Sequence, residues 1–177
     1  MALAHGGFAA LQSLSDLPRA NTVVKLRAYV SLEPVPRGRT FEIAVVAEIL
    51  PGFHINANKV LEDYLIPTTL QAEPPKGLRV TEASYPPGAL QKFDFSEKML
   101  NLYEGTVTLR MKLVAAADAP TGAVSLPLTL RYQACNDKAC LPPVRLNVPV
   151  EFQIAEAGAK AKPAHPEIFQ KVAPKKK

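Results

Sequence analysis

Two residues of this 177-residue chain carry thiols, Cys135 and Cys140, separated by four residues in RYQACNDKACLPPVRL and followed by Pro142-Pro143. A pair so spaced can act as a structural staple, a piece of a metal site or a working redox couple. A bridge between them closes a six-residue ring, and the chain-entropy estimate gives it only about 2 kcal/mol, against nearly 5 for a loop of about 100 residues. A short, accessible ring suits exchange better than permanent stapling. The histidines His5, His54 and His165 with the two cysteines make no zinc pattern, which needs four ligands at recognisable spacing, so no metal is expected. Cys-x4-Cys by itself leaves the staple and the redox couple both open.

The elements that must hold this pair are strands. Val24, Leu26, Ala28, Val30 and Leu32 alternate with Lys25, Arg27, Tyr29 and Ser31; Phe41, Ile43, Val45, Ala47 and Ile49 repeat the pattern. Further faces run through Val107, Leu109, Met111 and Leu113, through Leu126, Leu128, Leu130 and Tyr132, and through Leu146, Val148, Val150, Phe152 and Ile154, with shorter candidates over 65–72 and 78–84. EPVPRG, Pro51-Gly52, EPPKG, YPPG and ADAPTG punctuate them as turns. About seven such strands predict an all-β, immunoglobulin-like antiparallel β-sandwich. Cys135 then ends one strand and Cys140 precedes the next, so the pair spans the mouth of a hairpin at the rim. Two stretches, GFHINANKVLEDYLIP and GALQKFDFSEKMLNLYEG, read as long loops with ordered apolar residues, the kind that form lids or binding surfaces.

Length supports one domain with a core that does not need a disulfide to fold. The expected division is an N-terminal extension or excision remnant over 1–19, the sandwich over 20–155 and a basic flexible tail or linker over 156–177. Much of the formal charge of +5 sits in its final stretch AKAKPAHPEIFQKVAPKKK, where Lys160, Lys162, Lys171, Lys175, Lys176 and Lys177 face Glu167 alone, leaving a near-neutral body and no expectation of a nucleic-acid partner. No run of 18 or more apolar residues occurs.

YQACNDKACLPP, together with PGFHINANKVLEDYLIPTTL, SYPPG and FDFSEKMLNLYEG in that family's order, resembles the amino-terminal extracytoplasmic domain of the DsbD thiol:disulfide interchange family over roughly residues 20–154. The resemblance implies a periplasmic or otherwise extracytoplasmic sandwich with an active-site hairpin and a cap loop, which acts as a protein-disulfide reductase without a cofactor. Its partners would be a thioredoxin-like domain and disulfide isomerase-type proteins, with a membrane electron transporter if the domain comes from a longer chain. Cytochrome c biogenesis is among the processes such a relay supplies. Position by position, Cys140 matches the cysteine that forms mixed disulfides and Cys135 its resolving mate. Phe93, Asp94 and Phe95 match the cap, with Phe95 as the ring over the sulfurs. His54, Asn56 and Tyr132 are the near-site candidates. Where some members carry adjacent acidic residues before the cap phenylalanine and tyrosines after PG, this chain has Phe93-Asp94, His54 and Asn56. The rival expectation is a non-catalytic β-sandwich interaction module with a structural hairpin disulfide.

Overall fold

The computed structural model describes residues 17–93 and 97–170. After a 3-10 turn at Ala20–Thr22 come β1 (Val24–Val30), β2 (Leu32–Glu33), β3 (Val35–Pro36), β4 (Thr40–Ile49), β5 (His54–Asn56), β6 (Thr69–Ala72), β7 (Leu78–Ser84), β8 (Ala89–Gln91) and β9 (Leu100–Tyr103). Then follow β10 (Thr106–Ala115), β11 (Gly122–Tyr132), β12 (Ala134–Cys135), β13 (Val144–Ala155), β14 (Lys162–Pro163) and the single-turn helix α1 (Pro166–Phe169). Two four-stranded sheets, β1-β4-β10-β7 and β3-β13-β11-β6, form an immunoglobulin-like β-sandwich. The pairing is antiparallel except for β3 alongside β13.

The alternation read in the sequence becomes the core. Phe41, Ile43 and Val45 of β4 and Leu109, Met111 and Leu113 of β10 face Leu126, Leu128 and Leu130 of β11 and Val150 and Phe152 of β13, all buried. The Phe41 and Phe152 rings, 5.3 Å apart, meet across the two sheets. Side chains that fit two inner faces in this way are the main stabilising contribution, each large apolar group worth about 1.5–3 kcal/mol on burial.

A third, smaller sheet, ordered β12-β5-β9-β8, sits at one rim and supplies the site. It grows out of the sandwich strands. The turn Leu50-Pro51-Gly52-Phe53 is closed by a 3.0 Å hydrogen bond from Phe53 N–H to the Leu50 carbonyl, with Gly52 at φ 82°. Proline then glycine at the two central positions is the type II pattern, in which only the second must enter the left-handed region. This turn carries the chain from β4 into β5. At the other side, Tyr132 ends β11 in the sandwich, and two residues later Ala134 and Cys135 pair with β5.

Both stretches expected as long loops contain short strands, namely β5 in the first and β8 and β9 in the second. The three residues of β5 are buried in succession, so neither face shows the half-exposed alternation on which the loop expectation rested. From residue 156 on, where a flexible tail was expected, β14 pairs with β2 and α1 lies on the outer face of the first sheet. There Arg110 donates to the Ile168 carbonyl at 2.5 Å and stacks over Phe169, while His165 meets the Tyr29 ring edge-on at 4.9 Å. Ala44 lies between Tyr29 and Arg110 in the sheet register and is fully buried although it points away from the core. The segment 162–170 runs over this face as a strap, held to Tyr29 and Arg110 on either side of Ala44. Among the described residues no helix is long and apolar enough to cross a membrane.

Candidate functional site

The hairpin that carries the cysteines is shaped by Asn136. Its side-chain oxygen accepts the N–H groups of Lys138 (2.9 Å) and Ala139 (2.8 Å), an Asx turn that folds Asn136-Asp137-Lys138-Ala139 back on itself. Two backbone bonds flank the cysteines, from Asn136 N–H to the Ala139 carbonyl (2.9 Å) and from Leu141 N–H to the Ala134 carbonyl (2.8 Å). Cys135 and Cys140 are therefore an antiparallel pair of the non-hydrogen-bonded kind, in which opposed side chains stand closest. Their Cα atoms are 3.9 Å apart and their sulfurs are joined in a disulfide of 2.02 Å. Cys135 is buried, at 3% exposure, whereas Cys140 is exposed. A reagent in solution meets Cys140 first.

Across the strand on its other side, Cys135 stands opposite His54 of β5. Opposed residues of an antiparallel pair project to the same face, with Cβ atoms about 5 Å apart. His54, Cys135 and Cys140 thus form a row across the small sheet. Burial, with 4% exposure, pushes the His54 pKa below the ordinary imidazole value, while the carboxylate of Glu104 acts in the opposite direction. The half-buried Phe93 ring lies 4.9 Å from the His54 ring, tilted by 35°. Of the expected cap residues, Phe93 is thus brought against the row; Asp94 and Phe95 lie outside the described residues.

The other near-site candidates have different work. Asn56 is buried and spans the base of the following loop: its side-chain amide donates to the Ile66 carbonyl at 3.0 Å and its backbone carbonyl accepts the Thr68 hydroxyl at 2.6 Å. Tyr132 is fully buried, and its hydroxyl donates to the Ala20 carbonyl at 2.7 Å. Burial raises its pKa to about 12, against a smaller lowering by a hydrogen bond with the Val24 backbone. It ties the N-terminal turn to β11. Sequence reading missed Glu104: it lies within FDFSEKMLNLYEG without being singled out there, because its relation to His54 depends on the β5–β9 register.

The SYPPG stretch supports the same sheet from behind. Tyr103 of β9 donates its hydroxyl to the Pro86 carbonyl at 2.8 Å, and Tyr85 accepts the Leu70 N–H at 2.9 Å. Gly88 packs so tightly that a Cβ there would stand 2.2 Å from the Asn101 side-chain oxygen and 2.8 Å from Ala57 Cβ.

A sandwich whose rim carries a cross-strand disulfide, one cysteine exposed and one buried, is a fold equipped for thiol–disulfide exchange. The family model described as thiol:disulfide interchange protein DsbD, N-terminal, matches residues 21–151, and the chain belongs to that family. Among solved structures, it is similar to the Neisseria meningitidis DsbD N-terminal domain in the reduced form, at 16% identity and a TM-score of 0.49 over 80% of this chain and 98% of that one. It is also similar to the N-terminal periplasmic domain of ScsB from Proteus mirabilis, at 12% identity and a TM-score of 0.48 over 73% of this chain and 45% of that one. No match is found among curated proteins.

Proposed function

We propose that residues 20–155 form an extracytoplasmic relay, which takes reducing equivalents from a thioredoxin-like domain fed by a membrane transporter and passes them to oxidised proteins such as disulfide isomerases. Cytochrome c biogenesis is a process such a relay would serve. Cys140 forms the mixed disulfide with the partner, and Cys135 resolves it. The observation that carries this reading is the unequal exposure of two bonded cysteines in a hairpin whose backbone bonds do not depend on the disulfide. Reduction leaves the two thiols facing each other, so the second step is intramolecular and fast. Phe93, with Asp94 and Phe95, forms a cap that a docked partner displaces.

Trapping tests the roles. Cys135→Ser should accumulate a mixed disulfide with a thioredoxin-like partner on a non-reducing gel, and Cys140→Ser should accumulate much less. Equal trapping would overturn the assignment. A reduction potential below about −300 mV would instead make the bond a structural bridge of an interaction module.

A further inference from the structure

We propose that His54 is the proton acceptor that turns the Cys135 thiol into the resolving nucleophile, with Glu104 set behind it to hold the charge it acquires. This deepens the exchange reading above and rests on it.

The argument starts from the burial of Cys135. A thiol reacts as thiolate, and burial in apolar surroundings disfavours the charged form. Cys135 is 3% exposed and lies in a hairpin, with no helix N-terminus beside it among the described residues. Bulk water is poorly placed to take its proton, so a neighbouring base is needed. Cys135 faces Cys140 on one side without direct backbone bonds; strand alternation therefore turns its own N–H and C=O toward β5, where His54 is its opposite. The imidazole stands on the same face at cross-strand distance. The Phe93 ring against it, 4.9 Å between centroids, restricts its rotation.

Register then identifies the group behind it. Ile55 pairs with Tyr103 and Asn56 with Leu102; the pairing ends there, and the next residue in the same register, toward His54, is Glu104. The electrostatic influence of Glu104 on the imidazole agrees with that placement. The row across the rim reads carboxylate, imidazole, buried thiol, exposed thiol. Among the described residues, Glu104 and the two cysteines are the titratable groups on this row; Asp137 and Lys138, at the hairpin tip, are exposed. Because burial keeps His54 neutral near pH 7, it is free to accept a proton.

In the first step the Cys140 thiolate attacks an oxidised client, forming one Cys140–client S–S bond and releasing the other client sulfur as thiolate. In the second, His54 takes the Cys135 proton and the Cys135 sulfur bonds to Cys140 as the Cys140–client bond breaks. The departing client sulfur leaves with the electron pair and takes a proton from the imidazolium or solvent. The domain has lost two electrons and the client disulfide has gained them.

The reduced domain mixed with oxidised glutathione separates these steps, because acid-quenched samples report the glutathionylated Cys140 intermediate by mass. His54→Phe keeps a ring against Phe93 and removes the base; His54→Gln keeps polarity. Both should form the intermediate within about threefold of the wild-type rate and resolve it roughly 10²-fold more slowly at pH 7, at the low end of general-base contributions. Wild-type resolution should fall as pH drops through the His54 pKa, below the ordinary 6.5. That inflection should vanish in His54→Phe and move to lower pH in Glu104→Gln, which substitutes an exposed residue. Resolution at the wild-type rate with an unchanged profile in either His54 variant overturns the proposal, as does an unmoved inflection in Glu104→Gln. A wild-type domain that forms no intermediate overturns the exchange reading itself, and this one with it.

Discussion

Reducing the Cys135–Cys140 bond should leave the domain folded, and the size of the effect can be worked out from the hairpin. The ring contains six residues, so the chain-entropy contribution is about 2 kcal/mol. The hairpin keeps four other ties: the two backbone bonds flanking the pair and the two N–H groups accepted by the Asn136 side chain, all between 2.8 and 2.9 Å. Among the described residues, the packed core cluster includes neither cysteine. Against a typical domain stability of 5–15 kcal/mol, a loss of about 2 leaves a folded majority. At about 2–4 °C per kcal/mol for a chain of this length, the melting temperature should drop by roughly 4–8 °C. Far-ultraviolet circular dichroism melts, with and without excess phosphine reductant, measure it, and a Cys135→Ala/Cys140→Ala variant gives the same comparison without reductant. Loss of the cooperative transition, or a drop beyond about 15 °C, would refute the reasoning and return the bond to the class of structural staples.

Phe93→Ala should expose the row it covers: reduction of the disulfide by glutathione should accelerate several-fold, at a stability cost near 1 kcal/mol because the ring is only half-buried; an unchanged rate in a folded protein would remove Phe93 from the cap. Tyr132 keeps its proton in the fold up to about pH 12 but loses it near 10 when unfolded, so its contribution is fully present below pH 10 and is lost as pH rises toward 12, about 1.4 kcal/mol by pH 11. Tyr132→Phe, which also forfeits about 1 kcal/mol with the bond to Ala20, should therefore be less stable than wild type at pH 8 and close to it at pH 11 in urea titrations. Arg110→Ala should release the strap, seen as loss of hydrogen-exchange protection at the Ala164 N–H, which is bonded to the Ser31 carbonyl.

Long strands such as β10 were legible from their alternation, with Val107, Leu109, Met111 and Leu113 on the dry face against Thr106, Thr108, Arg110 and Lys112. β5 was not, because His54 and Asn56 look too polar for a core. What makes their burial tolerable comes from outside the strand: an aromatic neighbour at Phe93 for His54, and partners at Ile66 and Thr68, across the following loop, for Asn56. The cysteine pair and His54 stood out as chemistry, but their alignment is a property of register, and a shift of one residue in β5 would turn the imidazole to the other face. The strap did leave a trace. Ile43 to Ala47 is an unbroken apolar run, which in a sandwich strand signals a second covered face. What covers it, a four-residue helix amid lysines, is too short and too polar to announce itself.

The strap also decides where a tether would begin. β13 starts beside the cysteine hairpin at Val144 and ends at Ala155, paired with Pro36 at the far end of the sandwich. A chain leaving there would start a full strand length from the redox rim. By returning over Tyr29 and Arg110, the strap brings Gln170, the last described residue, about five strand residues or roughly 17 Å back toward the rim, judged from Arg110 against Ala115 at the end of β10. The local concentration of anything joined by a flexible linker falls steeply once the span exceeds the linker's natural reach. A docked strap would therefore let a shorter linker bring a joined partner to Cys140, and releasing it would lower the rate of that encounter without altering either thiol.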